Sequence, residues 1–405
     1  MIIQQKQEED IFVCIEQWCR EYQNKVIKNS KQLPLIDLSV GNPDLPPNEI
    51  WKKKLCSAIQ QQDMHGYADF TPEINQKLRA SFSDYFNRRF ISDDRYTIEA
   101  EKHVIDFAGS KEGIFFSLFC LLSPGDTVLM PDPSYSVYHS CIQKIGAKVE
   151  FFSCDIKGQP DLSSITAAQL SKAQLMVLCS PNNPTTDSIE ESVLDEILAF
   201  AEQHKLTIIL DRAYAEIQFT NTPFAKNLPG SLLSRPKALE RVIELHSLSK
   251  SCSIAGWRVG FIFGAESIIN KLKSIRFNTN FGLFLPIQPV VTDMLDSLEE
   301  IAQQNSIIYE QRINYFINQL SEAGWNIAKP KGTFFIWTPV PKTIKSMSDR
   351  TFVKELLNET GVLISPGSGF GSAGSNYVRI ALVQNEEKLK EAASRIKRWL
   401  NRIAV

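Results

Sequence analysis

The 405-residue sequence lacks an excess of charge of either sign and lacks a long hydrophobic run. Its 44 Lys and Arg residues nearly balance 46 Asp and Glu residues, so the net charge is −2. This balance provides no general attraction to nucleic acid or to an anionic membrane. The longest apolar stretch, 113–122, is about half the length of a membrane-spanning helix. We therefore expect neither nucleic acid nor membrane as a partner.

Paired-cysteine motifs and targeting signals are also missing. The eight cysteines contain no CxxC pair, and the five histidines show no metal-ligand spacing, so we expect free thiols and no metal site. The amino terminus, MIIQQKQEED, has no basic segment followed by an apolar run, and we expect no secretory signal. These absences favour a globular cytoplasmic protein.

The apolar pattern divides the chain into regions, and the length predicts two or three domains. Residues 1–34 are predicted to form one amphipathic helix with a loose start, followed by a short strand in LIDLSV. From about 100 to 265, helix-like stretches alternate with the apolar runs TVLMP, AKVEFF, LMVLCS, LTIILD, VIELHS and VGFIFG. This alternation predicts an α/β sheet that is buried on both faces.

The carboxyl-terminal part has a different pattern. After a long helix predicted at about 289–323, the order is strand TFFIWTPV, helix 350–359, strand YVRIALV and helix 386–402. This order indicates a smaller α+β domain. We assign residues 1–60 to an N-terminal arm and part of the small domain, 61–295 to the large domain, and 296–405 to the C-terminal small domain.

Polar residues follow the ends of several predicted strands, where ligands bind in such sheets. In LHSLSKSCSIAGWRVG, the Lys250 amine could form an imine with an aldehyde cofactor, and Ser247 and Arg258 could hold a phosphate. Asp211 ends the strand LTIILD, where a carboxylate needs a cationic partner such as a protonated pyridine nitrogen. The alternatives are a solvated Lys beside a structural Arg, and an Asp that caps the next helix.

Other segments carry weaker signals. Asn183 could donate to a ring oxygen, although NNP is also an ordinary turn. Gly109, Ser110 and Lys111 begin a predicted helix whose free N–H groups could bind phosphate, or Ser110 could simply cap that helix. Tyr135 could stack on a cofactor ring or could be an ordinary core or surface tyrosine.

The chain resembles the class I/II aminotransferases of fold type I from about residue 34 to its carboxyl terminus. Within them it is most similar to the branch of the LL-diaminopimelate aminotransferases. The resemblance rests on SLSKSxxxAGWRVG, on GSKEGI, on PGDTVLMPDPSYSVY, and on the spacing of Asn183, Asp211 and Tyr214. It implies a large three-layer α/β domain with a mostly parallel sheet, and a smaller α+β domain.

The same resemblance implies pyridoxal 5′-phosphate as the cofactor. Lys250 would hold it as a Schiff base and move protons, and Asp211 would pair with its ring nitrogen. Tyr214 and Asn183 would hold the ring oxygen, and Tyr135 would stack on the ring. The implied phosphate ligands are Ser110, Lys111, Ser247 and Arg258.

The resemblance also implies how the substrate binds. Arg379, in YVRIALV, matches the arginine that grips the α-carboxylate, and Gly41 matches the backbone position beside it, near Asn183. Tyr67 matches a tyrosine that reaches the phosphate of the neighbouring subunit, which implies a homodimer with composite sites.

The expected activity is ping-pong transfer of an amino group from an amino acid to a 2-oxo acid. A pyridoxal-phosphate-dependent lyase, cyclase or oxidase with the same cofactor residues remains an alternative, because these residues do not determine which bond breaks. A transcription regulator would need a DNA-binding module, and the 33 residues before residue 34 are too few. A catalytically inactive binding protein is disfavoured because every matched cofactor residue is present.

Three segments depart from the family pattern. Thr186 replaces the glycine of the NPTG turn, and we expect this change at most to reshape the turn. The loops ADFTPEINQKLR and NTNFGLF also differ, and both are expected to border the substrate side chain.

These two loops lead to an expectation about the substrate. In the aspartate-specific enzymes that the chain resembles, a second arginine from the partner subunit commonly binds the distal carboxylate. The matching residues 278–286 contain no arginine, although Arg276 just before them could be a shifted anchor. If Phe70, Phe281 and Phe284 point inward, they would favour an apolar or aromatic side chain. We therefore expect neither aspartate nor diaminopimelate to be the best donor.

Overall fold

A computed structural model of the chain describes residues 11–28, 32–91, 96–219, 230–344 and 347–403. In these ranges the strands are β1 (Ile36–Asp37), β2 (Val104–Phe107), β3 (Thr127–Pro131), β4 (Lys148–Phe152), β5 (Ala173–Cys179), β6 (Thr207–Asp211), β7 (Val242–Ser247), β8 (Gly260–Phe263), β9 (Phe335–Pro339), β10 (Val362–Leu363), β11 (Ser365–Pro366) and β12 (Tyr377–Ala381). The α-helices are α1 (Ile11–Lys28), α2 (Glu49–Ile59), α3 (Pro72–Phe90), α4 (Ala100–His103), α5 (Ser110–Leu121), α6 (Ser136–Ile145), α7 (Ala167–Leu170), α8 (Glu191–His204), α9 (Leu248–Ser251), α10 (Glu266–Phe277), α11 (Ile287–Leu295), α12 (Leu298–Ser321), α13 (Asp349–Thr360) and α14 (Glu386–Ile403).

The main sheet has seven strands in the order β2-β8-β7-β6-β5-β3-β4. Strand β8 runs antiparallel to β2 and β7, and the other paired strands run parallel. In β5, Leu175 and Val177 enter the apolar layer on one face of the sheet, whereas Met176 and Leu178 enter the layer on the opposite face, and the two layers together form the first core. Because both faces are covered, the strands are continuous apolar runs. The predicted mostly parallel α/β sheet is confirmed.

One edge of this sheet gathers the residues that follow the strands. The carboxyl ends of the parallel strands meet there, and the antiparallel β8 begins at the same edge. Arg258, two residues before β8, is thereby brought next to the segments that follow β2 and β7. The backbones are close, since a Cβ on Gly260 would lie 3.0 Å from atoms of Gly109, Ser110 and His246.

A second apolar core combines both ends of the chain. It contains Ile15 of α1, Phe316 of α12, Phe352 of α13 and Ile396 of α14. Next to it lie the antiparallel sheet β11-β12-β9 and the parallel pair β1-β10. The backbone of Leu38 joins these two small sheets, because its N–H donates to the carbonyl of residue 363 and its carbonyl accepts from the N–H of residue 381, each at 2.8 Å.

Two predicted helices differ from the structure. The stretch 289–323 is divided into α11 and α12, because Ser297 has a non-helical backbone (φ −108°, ψ 9°). The break lets α11 pack on α2 and α3, while α12 packs on α14. Within residues 1–34, α1 covers 11–28, and residues 32–34 are not helical. The remaining residues of that prediction, 1–10 and 29–31, lie outside the described ranges.

Two kinds of feature are absent from the described ranges. None of their helices is both long and apolar enough to cross a membrane. No group of three or more His, Cys, Asp and Glu side chains in these ranges is arranged to hold a metal ion.

Candidate active site

A cavity of about 700 Å³ opens at the carboxyl edge of the main sheet, where both cores meet. It brings together all but one of the residues that the sequence predicted for the site. The predicted residues that line it are Gly41, Ser110, Lys111, Tyr135, Asn183, Asp211, Tyr214, Ser247, Lys250, Arg258 and Arg379. Tyr67 does not line it.

Lys250 stands on α9, the single helical turn that follows β7. The Ser247 hydroxyl caps this turn by accepting a hydrogen bond from the N–H of Ser249 at 3.2 Å. The Lys250 Nζ donates to the Gly41 carbonyl at 2.7 Å. Burial, reinforced by the positive charge of Arg379, lowers the pKa of Lys250 to about 8. A substantial fraction of this amine is therefore neutral near pH 8 and able to act as a nucleophile or a base.

Asp211 ends β6 as a buried carboxylate. Its Oδ2 accepts a hydrogen bond from the Tyr138 hydroxyl at 2.8 Å, and its Oδ1 accepts one from the N–H of Ala213 at 3.0 Å. Burial raises the pKa of Asp211, and these two hydrogen bonds oppose the shift. Lys250 acts on it more weakly, through its electrostatic field. The position suits a cationic ring nitrogen, which would compensate the buried negative charge.

A cationic cradle lies between β2 and α5. Gly109 has a left-handed backbone (φ 83°), and a Cβ there would lie 2.3 Å from the Arg258 Nη2. Glycine therefore satisfies both the backbone conformation and the close approach of the guanidinium. Arg258 donates from Nη2 to the Ala108 carbonyl at 2.8 Å. Ser110 and Lys111 begin α5, whose first N–H groups provide further donors suited to a phosphate.

Arg379 of β12 is a buried cation with neutral partners. Its Nη1 donates to the Asn183 Oδ1 and its Nη2 to the Ser39 carbonyl, each at 2.7 Å. Its guanidinium carbon lies 4.3 Å from the ring centre of Phe335 and 4.6 Å from that of Phe370. Burial lowers the pKa of Arg379 to about 10, so the side chain remains charged at neutral pH. In the described part of the chain its Nε has no hydrogen-bond partner, which leaves a donor for an anion such as a carboxylate.

Three tyrosines line the cavity: Tyr135, Tyr138 and Tyr214. Tyr135 follows β3 and meets Tyr138 edge to face, with ring centres 5.4 Å apart. Tyr214 is buried after β6, with its ring centre 5.6 Å from that of Phe335. Burial raises the pKa of Tyr214 well above its usual value, so its hydroxyl stays protonated and can donate a hydrogen bond.

Tyr67 and the phenylalanines of the two unusual loops lie elsewhere. Tyr67 and Phe70 are each 65% exposed, and Phe284 is 53% exposed. The ring of Tyr67 lies 5.0 Å from that of Phe281. None of Phe70, Phe281 and Phe284 lines the cavity. Within the described chain, these three rings therefore lie outside the cavity of their own subunit, and their place at a partner's cavity stays a prediction.

Arg276 is bound by two carboxylates. Its Nη1 lies 2.7 Å from Asp106, and its Nη2 forms an ion pair with Asp69. The side-chain exposures of Arg276, Asp69 and Asp106 are 5%, 10% and 0%. This buried network occupies the guanidinium, so Arg276 is unavailable as an anchor for a distal carboxylate.

Thr186 keeps the left-handed backbone that a glycine favours. Its φ is 70°, and its N–H donates to the Asn182 carbonyl at 2.9 Å, which closes the turn. Threonine in place of glycine at position 186 therefore keeps the hydrogen bond that closes the turn and places a β-branched residue in a strained backbone conformation. The left-handed region costs a non-glycine residue about 1–2 kcal/mol.

Sequence reasoning missed three aromatic residues that line the cavity, Tyr138, Phe335 and Phe12. Tyr135 precedes α6 and Tyr138 lies in the first turn of that helix, so the two rings are neighbours, and their spacing of three residues was a usable signal. Phe12 is on α1, far from every motif, and no local pattern marks it.

Comparisons with known proteins agree with these features. A sequence model of aminotransferase class I and II matches residues 34–396. The LL-diaminopimelate aminotransferase of Dehalococcoides mccartyi strain CBDB1 is 34% identical over 373 residues, 91% of this chain and 92% of that protein. The glutamate–pyruvate aminotransferase AlaC of Escherichia coli K12 is 32% identical, over 90% of this chain and 86% of that protein.

Solved structures give the same result. Substrate-bound BacF from Bacillus subtilis has a TM-score of 0.86 at 32% identity, covering 96% of this chain and 94% of that chain. A probable N-succinyldiaminopimelate aminotransferase from Thermus thermophilus has a TM-score of 0.86 at 27% identity, covering 96% of this chain and 99% of that chain.

The strained turn predicts an unusual order of stability for two variants at position 186. Both Thr186→Gly and Thr186→Ala remove the buried Thr side chain, but glycine also relieves the left-handed strain. We expect Thr186→Gly to be more stable than Thr186→Ala by roughly 1 kcal/mol. Thermal and denaturant unfolding of both variants measure this difference. Equal stability, or a more stable alanine variant, would contradict the strained turn.

Proposed function

The chain belongs to the class I and II aminotransferases and transfers amino groups, and we propose that it does so with pyridoxal 5′-phosphate held by Lys250 in this cavity. The donor is an amino acid and the acceptor is a 2-oxo acid. The observation that carries the proposal is the convergence of Lys250, Asp211 and Arg379 in one cavity beside a cationic cradle.

The residues present fit this cofactor. Its phosphate suits the cradle of Ser110, Lys111 and Arg258, because all three bring donors or positive charge to one place. Its ring nitrogen, when protonated, provides the cationic partner for the buried Asp211 carboxylate. Its aldehyde can react with the amine of Lys250, because the pKa of this amine is lowered to about 8.

Each of the cavity residues then has a separate role in the proposed transamination. The bound cofactor provides a carbonyl for the amino group and a ring that takes up electrons from the substrate carbon. Arg379 orients the substrate through its carboxylate. With the cofactor bound, the Nζ of Lys250 would take the proton from the substrate Cα and later give it back, a transfer suited to an amine with a pKa near 8. Asp211 keeps a proton on the ring nitrogen.

We also propose a homodimer with composite sites. Tyr67 is exposed in the single chain, and its ring belongs to an aromatic cluster with Phe70, Phe277 and Phe281. An exposed apolar cluster of this kind is typical of an interface. A second copy that covers it would place the Tyr67 hydroxyl at the partner's phosphate site.

Lys250 provides the direct test of the proposed function. Lys250→Ala should lower transamination by roughly a thousandfold or more, because the base is lost. Borohydride should fix the cofactor on the wild-type peptide that contains Lys250 and on no peptide of the variant. Because the neutral amine is the attacking form, capture of added cofactor should rise with pH through about 8 and then level off.

Two controls accompany this test: the substitution of a second lysine and the identification of the reaction products. Lys148→Ala, at an exposed position of β4, should leave capture and turnover unchanged. With an amino acid and no oxo-acid acceptor, the enzyme should form one molecule of oxo acid for each cofactor molecule that takes up an amino group. Release of ammonia or hydrogen peroxide in each turnover would indicate lyase or oxidase chemistry and contradict transamination.

Loss of the Arg379 side chain should weaken substrate binding more than cofactor binding. Arg379→Ala should raise the KM for the amino acid roughly a hundredfold, because a charged bidentate contact costs on the order of 3 kcal/mol to lose. The cofactor spectrum should not change. Arg312→Ala is a matched control, since Arg312 makes a similar two-point contact with Asp44 outside the cavity. An unchanged KM in the Arg379 variant would refute this assignment.

Mixing two inactive variants tests the composite sites. Tyr67→Ala and Lys250→Ala subunits should form heterodimers in which one site has both residues. Random mixing makes half of the dimers heterodimers, so about a quarter of all sites should be active. The measurement is activity after verified subunit exchange, with each variant alone as the control. No recovery in verified heterodimers would exclude shared sites.

A further inference from the structure

The first turn of α1 closes one side of the cavity, and it is firmly anchored. The residues of α1 that face the second core are Ile11, Cys14, Ile15, Trp18 and Tyr22, all of which are buried. Ile11 packs directly against Gly369, because a Cβ added to Gly369 would lie 2.3 Å from the Cγ1 of Ile11. Any larger residue at 369 would push α1 outward. The position of this turn over the cavity is therefore fixed by packing.

Phe12 projects from this turn into the cavity. Its ring centre lies 6.0 Å from the Arg379 guanidinium carbon and 6.5 Å from the ring centre of Tyr135. It also meets Phe370 nearly edge to face at 6.2 Å. The Phe12 ring therefore lies close both to the arginine proposed to bind the substrate carboxylate and to the tyrosine proposed to contact the cofactor ring.

Within the described ranges of one subunit, each charged side chain that lines the cavity has an assigned role or a charged partner. The lining cations in these ranges are Lys111, Lys250, Arg258 and Arg379. The proposed function uses all four for phosphate, cofactor and α-carboxylate. The lining acid outside that machinery, Glu16, is paired with Arg20 on the same helix.

We propose that Phe12 is a specificity-determining residue of this site, whose ring forms the wall against which an apolar or aromatic substrate side chain packs. This inference rests on the proposed function. A distal carboxylate on the substrate would lose its water next to this ring, and within the described ranges of the same subunit no lining cation is left to pair with it. An apolar side chain would bury surface there, and contacts of one or a few carbon atoms change specificity roughly 10- to 200-fold.

The neighbouring residue provides a matched control. Val13 lies on the same turn of α1 but is 57% exposed and does not line the cavity. Replacing Phe12 or Val13 by alanine makes a similar change in helix propensity, while Phe12→Ala alone removes the proposed wall. Phe12→Tyr keeps the ring and should preserve the function of the wall.

The experiment measures kcat/KM of the holoenzyme for alanine, leucine, phenylalanine, aspartate and diaminopimelate. Phe12→Ala should reduce the values for leucine and phenylalanine at least about tenfold more than the value for alanine. Val13→Ala and Phe12→Tyr should leave these ratios within about twofold of the wild type. A second readout without turnover is the Kd of 3-phenylpropionate against that of propionate, whose ratio should shift in the same direction.

The outcomes separate this inference from the proposed function. Equal losses for alanine and leucine in Phe12→Ala, or no loss, would overturn the role of Phe12 while leaving transamination intact. A wild type that uses aspartate or diaminopimelate tenfold better than every neutral donor would also overturn that role. Failure of the wild type to transaminate any donor would instead contradict the proposed function, and this inference with it.

Discussion

Burial of ionisable side chains at the junction of two cores is the constraint on which this site depends. Lys250, Asp211 and Arg379 are each removed from water, and desolvation costs several kcal/mol for each ion. The contacts around them are mostly neutral: a carbonyl for Lys250, a hydroxyl and an amide for Asp211, an amide oxygen and a carbonyl for Arg379. Such partners lower the cost of burial without cancelling the charge. A ligand with complementary charges therefore gains affinity from interactions that the protein alone leaves incomplete.

The geometry of the cavity requires both cores to be folded and docked. The bond from the Lys250 Nζ to Gly41 and the bond from Arg379 to Asn183 each cross between them. A third link joins the N–H of Ser134, just before Tyr135, to the carbonyl of Phe370 at 2.9 Å. Because these three bonds lie at the cavity wall, a shift between the two cores would move Arg379 relative to Lys250.

The sequence predicted the sheet and most of the cavity for a geometric reason. Parallel strands bring their carboxyl ends to one edge, so polar residues after each apolar run must converge, as Asp211, Asn183 and Lys250 do. The break at Ser297 was missed because no glycine or proline marks it and the apolar periodicity continues across it. The position of Phe70 could not be predicted either, since the Asp69–Arg276 pair that holds its loop joins residues 207 positions apart.

The class of reaction can be inferred from local sequence motifs, whereas the substrate depends on contacts between residues that are distant in the sequence. The cavity residues assigned to the cofactor come from strand ends and helix starts, where local sequence determines geometry. The proposed substrate wall comes from α1, whose place is set by the contact of Ile11 with Gly369 more than 350 residues later. A change at Phe12 alters no motif and leaves the cradle, the lysine and the aspartate untouched. Two relatives of nearly equal identity, 34% and 32%, are named for different substrates, diaminopimelate and the glutamate–pyruvate pair. Such divergence is the expected consequence when the chemistry resides on the sheet edge and selectivity resides on an element docked against it.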